Sequence, residues 1–161
     1  MNRVLTGAML ALLLTPPLLA GERITVQQIQ QVMEATDAAA RAHDAAHIGI
    51  YLDDAFVKEI EFQYKDWMAK VKIDKYEYLQ LIDTGWMNVD DYDYQRINTE
   101  IHIQPDGSSG QSYSTIIEHM NVEGREMTSR FREYATYVLV EGKPVISEIS
   151  GHTLLGDTTP Y

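Results

Sequence analysis

Apolar positions recur with helical spacing from Ile24 to His47. Ile24, Ile29, Val32, Met33, Thr36, Ala39 and Ala40 fall near one face, and Thr25 stands where an N-cap belongs. The run Ala38-Ala39-Ala40 joins high helix propensity to small volume, which suits close packing on a sheet. A second short helix is expected over Ala45 to Leu52, ended by Asp53-Asp54. The period then changes. Ala55 to Tyr64 reads as a strand, with Phe56, Ile60, Phe62 and Tyr64 on one face and Lys58 interrupting that face. Val57, Glu59, Glu61 and Gln63 take the other. Asp74 is the expected N-cap of a third helix through Tyr78, Leu79 and Ile82 to about Trp86.

Beyond the third helix the chain alternates. Strands are expected over Tyr92 to Ile103, Gln111 to Val122, Met127 to Val140 and Pro144 to Leu155. Turns at Pro105-Asp106-Gly107-Ser108, Glu123-Gly124-Arg125 and Glu141-Gly142-Lys143 separate them. Helices first and strands afterwards predict an α+β class, with about three N-terminal helices packed on one face of a curved antiparallel sheet.

The first 20 residues have a different pattern. Met1-Asn2-Arg3 is short and basic, Val4 to Leu14 is almost wholly apolar, and Thr15-Pro16-Pro17 breaks the run before Ala20-Gly21. This is the layout of a cleavable export signal. The apolar run is shorter than the roughly 20 residues a membrane span needs. Removal of residues 1–20 leaves 141 of the 161 residues, a single domain over 21–161. The expected location is the periplasm or the extracellular space, with no stable membrane insertion after cleavage.

The chain carries 24 acidic and 13 basic side chains, a net charge of −11 that becomes −12 when Arg3 leaves. That balance repels phosphate backbones and argues against nucleic acid as a partner. There are no cysteines. Thiol catalysis, thioether haem and cysteine-zinc sites are thereby excluded, and an exported domain stands on its packing alone. No cofactor motif is present.

Two stretches carry a resemblance. Ala42-His43-Asp44, followed by Tyr51-Leu52-Asp53-Asp54-Ala55-Phe56-Val57, resembles the junction of a small residue, Asp, helix, Asp-Asp-Ala and strand found in the nuclear transport factor 2-like superfamily. The ending Tyr137 to Ile146, a strand, a Gly-Lys hairpin and a strand, is similar too. Ketosteroid isomerase, scytalone dehydratase and polyketide cyclases belong to that superfamily. The resemblance implies a cone around an apolar pocket, with dimerisation through the sheet. It also implies that Glu59 occupies the slot of the isomerase's general-base aspartate. The first-helix phenol of the isomerase would fall near Ala35 or Thr36, neither of which is a tyrosine. Its late-strand acid would fall near Glu133 or Tyr134.

The candidate catalytic groups are therefore Glu59 and His119. A carboxylate or imidazole facing an apolar cavity can carry a proton at neutral pH. Tyr51, Glu59, Trp86, His119, Tyr134 and Tyr137 are candidate pocket residues. His43 and His47, four apart, have a metal-like spacing, but a zinc site needs a third protein ligand that the pattern does not identify. Ten tyrosines against three phenylalanines suggest amphipathic walls suited to a small apolar or moderately polar ligand. The expected function is an exported, non-catalytic binding or interaction protein, paired as a homodimer through its sheet. The alternatives are an isomerase, dehydratase or cyclase type of enzyme, and an accessory part of an envelope assembly. An enzyme built on Glu59 requires that side chain to reach an enclosed cavity.

Overall fold

The computed structural model describes residues 23–64 and 66–154. The export segment lies outside them. Chain order is α1 (Val26–Arg41), α2 (Ala45–Ile50), β1 (Leu52–Tyr64), β2 (Trp67–Asp74), α3 (Lys75–Trp86), β3 (Asp91–Ile103), β4 (Ser109–Val122), β5 (Arg125–Val140) and β6 (Lys143–Leu154). The strands form one sheet in the order β2-β1-β6-β5-β4-β3. The class is α+β, three helices on a curved six-stranded sheet. The sheet is mixed rather than antiparallel throughout, because β1 runs parallel to β6.

Local chemistry sets the helix ends. The Thr25 hydroxyl accepts from the Gln28 backbone N–H, and the Gln28 side chain accepts from that of Thr25, a capping box. Asp74 and Glu77 repeat the arrangement at α3. The expected helical run to His47 breaks at Ala42-His43-Asp44. His43 sits at a φ of 55°, and the Asp44 carboxylate accepts from the His47 N–H at 2.8 Å to start α2. Asp53 and Asp54 lie inside β1 rather than ahead of it. The strand β2 was not anticipated. Its residues are mostly exposed, so it lacks the apolar alternation that marks a half-buried strand.

The core lies between α1 and the concave sheet face. Ile29 and Val32 pack with Phe56, Ile116, Tyr137 and Ile149. Gly110 lets the helix approach the sheet this closely, since a Cβ there would drive into the Ile29 and Ile103 side chains. Arg23 fastens the start of the helix by donating to the carbonyls of Pro105 at 2.8 Å and Asp106 at 3.0 Å. Register shifts at Leu52/Val57, Ile97/Glu100 and Thr136/Tyr137 bend the strands around the helices.

Candidate functional site

The helices do not fill the concave face. A cavity of about 320 Å³ remains beneath α3, within the size range of small-ligand pockets. Leu52, Ile82, Trp86, Phe131, Ile146 and Ile149 give it apolar walls. The helix α3 covers it loosely, for none of its residues is fully buried. Charged side chains enter among them: Asp37 on α1, Lys58 on β1, Arg96 on β3, Glu118 on β4 and Glu133 on β5.

Three of these five charges form a closed unit. The Arg96 Nε donates to both Asp37 oxygens at 3.1 Å, and Nη2 adds a bond to Oδ1 at 3.0 Å. Its Nη1 donates to Glu133 at 2.9 Å, and Nη2 also donates to the Tyr94 hydroxyl at 2.9 Å. The side chains of Arg96, Asp37 and Glu133 are only 10%, 13% and 8% exposed. Burial works against the Arg96 charge, but Glu133, Tyr94 and Asp37 outweigh it and hold the guanidinium charged. The forked geometry fits both carboxylates at once, which an ammonium cannot do.

The other two charges are open. The Lys58 Nζ lies 4.7 Å from the centre of the Tyr78 ring, a cation–π contact. Among the described residues it makes no hydrogen bond. Burial opposes its charge, and the field of Tyr78, Glu133 and Glu118 outweighs that opposition, raising its pKa. Glu118 accepts from the Tyr92 hydroxyl at 2.7 Å. Burial, with a smaller push from Glu133, raises its carboxyl above the ordinary range despite Tyr92 and Lys58. Tyr137, whose hydroxyl shares a bond with Ser112 at 3.1 Å, is pushed up to about 12 by burial. The cavity is thus oily, with an ammonium that makes no hydrogen bond among the described residues and a carboxyl that accepts only from Tyr92 among them.

Of the side chains expected in the pocket, Trp86 and Tyr137 line the cavity. Glu59 does not. It points from the opposite sheet face toward Lys70 at 3.1 Å and Lys72 at 3.2 Å, which hold its carboxyl below the ordinary range. Alternation along β1 turns Lys58 inward and Glu59 outward, so the slot counted from Asp53-Asp54-Ala55 falls on the wrong face. His119 is exposed on that outer face too, sharing a 2.8 Å hydrogen bond with Thr128. Tyr134 is also exposed there, against Tyr113 at 4.7 Å between ring centroids. Tyr51 packs beside His47 outside the cavity. His43 sits in the α1–α2 break, stacked on Trp86 at 5.2 Å, while His47 lies on α2. The two histidines therefore do not share a helix face. Among the described residues no group of three His, Asp or Glu side chains is placed to hold a metal.

The residues the cavity does use had a signal. Lys58, Glu118 and Glu133 each share the inward phase of a strand with buried side chains: Phe56 on β1, Ile116 on β4, Ala135 and Tyr137 on β5. Lys58 stood out in the sequence as the break in the Phe56-Ile60 face. Arg96 follows Tyr92 and Tyr94 in the same phase.

No family model matches the chain. No curated protein matches it either. Solved structures do. A nuclear transport factor 2-like protein of unknown function from Pseudomonas putida superposes with a TM-score of 0.64 at 15% identity, over 84% of this chain and 92% of that one. A hexachlorocyclohexane dehydrochlorinase from Novosphingobium barchaimii gives 0.63 at 12%, over 84% and 88%. A nuclear transport factor 2-like protein with a cystatin-like fold from Novosphingobium aromaticivorans gives 0.60 at 12%, over 81% and 82%. At such identities the likeness speaks for architecture alone: the chain has the α+β cone fold of the nuclear transport factor 2-like superfamily.

Proposed function

We propose that this chain is an exported binding protein that holds one small, moderately polar molecule inside its cone. The cavity carries the reading: about 320 Å³, mostly apolar in its lining, with the polar groups of Lys58 and Glu118 set among the apolar side chains. A domain that needed only a core would fill that space, because protein interiors pack to crystal density. The pocket favours this role over docking to an envelope assembly. Mass spectrometry of small molecules released from the natively purified protein tests it. A compound recovered from the wild type and lost from Ala135→Leu, which narrows the cavity, supports the reading. Identical spectra from the two proteins overturn it.

Export rests on the pattern of residues 1–20. Recovery outside the cytoplasm of a protein beginning at Gly21 supports it, and an intact N-terminus overturns it. Pairing through the outer sheet face draws on the exposed Tyr134, with Tyr113, Arg130 and Arg132 around it. Light scattering at twice the chain mass, reduced to one chain mass in Tyr134→Glu, is the expected result.

A second reading, an enzyme that moves a proton, is favoured by Glu118. Glu59 and His119 stand on the outer face and do not serve it. Glu118 has the raised carboxyl that proton transfer requires, and Lys58 beside it can steady a developing negative oxygen. A dehydrochlorinase shares the fold. Turnover that disappears in Glu118→Gln while binding persists would promote this reading over the first.

A further inference from the structure

The polar complement of the cavity specifies its occupant more narrowly. Arg96 is unavailable to a ligand, since Asp37, Glu133 and Tyr94 take up its donors. Lys58 offers three N–H donors and makes no hydrogen bond among the described residues. Glu118 uses one oxygen on Tyr92, and no donor among the described residues reaches the other. Among the described residues, the only side-chain polar atom both sealed from solvent and unpartnered is Asn121 Oδ1. The Lys58 ammonium and the second Glu118 oxygen therefore keep access to the cavity they line.

Charge decides what meets them. Asp37 and Glu133 are balanced by Arg96 and Lys58, and Glu118 adds a negative charge when ionised. An anion on Lys58 would bring a further uncompensated charge into a desolvated site beside Glu118, and its desolvation opposes binding before any gain. A cation on Glu118 would sit beside Lys58. An uncharged molecule offering an acceptor to one and a donor to the other disturbs neither balance.

Resting on the binding reading above, we infer that the pocket takes an uncharged, largely apolar molecule bearing one acceptor oxygen for Lys58 and one hydroxyl for Glu118. Neutral aromatic hydroxyketones are the simplest members of that class. The Trp86 indole forms part of the wall and reports occupancy directly. Trp67 is the only other tryptophan and lies exposed, so Trp67→Phe leaves a single-site probe.

The test titrates the Trp67→Phe protein with para- and meta-hydroxyacetophenone, acetophenone, para-ethylphenol and benzoate, following Trp86 emission. At least one hydroxyketone is expected to bind tenfold or more tighter than either acetophenone or ethylphenol, since each lacks one hydrogen bond to a charged group. Lys58→Met should lower its affinity to that of ethylphenol. Glu118→Leu should lower it to that of acetophenone. Thermal melts of both variants confirm folding. Tightest binding by benzoate, equal preferences in the two variants, or no binding by any probe overturns the inference. If the protein nevertheless releases a charged compound by mass spectrometry, the binding reading survives and only this inference falls. If it releases nothing, both fall.

Discussion

The two faces of β1 carry neighbouring residues with opposite electrostatics. On the outer face Glu59 and Glu61 lie between Lys70, Lys72 and His152, every carboxylate paired at 2.9 to 3.2 Å. One residue away, on the inner face, Lys58 enters the cavity with no hydrogen-bond partner among the described residues, near an arginine clamped between two buried carboxylates. The outer ladder has water to screen it, so its pairs contribute little to stability and serve to keep the β2 edge charged against stray strand pairing. The inner set lies in a poorly solvated space, where a pair made is structural and a charge left open invites a ligand. Charge count does not separate the two faces. Solvent access does.

The largest effect expected is from Arg96→Met. It strands Asp37 and Glu133 without a counter-charge and should cost about 3–5 kcal/mol in urea unfolding. A loss no larger than that of an outer-face variant would abolish the distinction. Gly110→Ala comes next, at about 1–3 kcal/mol, because the methyl group meets Ile29 and Ile103 and lifts α1, which carries Asp37, from the sheet. A neutral result would mean the helix shifts freely over the sheet.

A smaller effect is expected from pH, with opposite signs on the two faces. The folded state raises the Glu118 carboxyl through burial, amid Tyr92 and Arg96 on β3, Lys58 on β1, Tyr78 on α3, Glu133 on β5 and Asp37 on α1. Its contribution is complete below the ordinary carboxylate range and is lost as pH rises through the raised value. Glu59 and Glu61 are lowered, chiefly by hydrogen bonds from Lys70 with help from Lys72 and His152. Theirs is complete above the ordinary range and lost as pH falls through the lowered values. Unfolding followed from pH 3 to 8 should therefore lose its high-pH decline in Glu118→Gln and its low-pH decline in Glu59→Gln/Glu61→Gln. Exchange of the two limbs would reverse the assignment of faces. Smallest of all, Glu59→Gln alone should leave the melting temperature unchanged at 0.15 M salt, where the Debye length is about 8 Å. A clear drop would show that the outer ladder is structural.

Much of this was legible in the chain, and the failures have physical causes. Thr25 and Asp74 announce their caps because a side-chain acceptor before an apolar helical run has few other uses. The strands β3 to β6 declare themselves by alternation and by Gly turns. The edge strand β2 does not, since Trp67 to Asp74 faces water on most sides and has no apolar phase to display. The parallel β1–β6 pairing is invisible locally, because it joins residues about ninety positions apart. For the site, alternation along β1 already set Lys58 and Glu59 on opposite faces. The spacing borrowed from a distant enzyme pointed to Glu59, and the chain's own period was the better guide. The convergence of Lys58, Arg96, Glu118 and Glu133 from four strands depends on register, which no single strand encodes.

The parallel seam between β1 and β6 also has a consequence in time. Lys58 lies opposite Ile149, and the cavity wall runs from Thr36 to Ile149. The compartment does not exist until β6 has been made and has taken its place between β5 and β1. Closing so distant a contact is slow, and a chain waiting for it exposes the inner face. A fragment that stops before β6, however well its hairpins form, lacks the finished cavity. Assembly of the cone and closure of its cavity are therefore one late event.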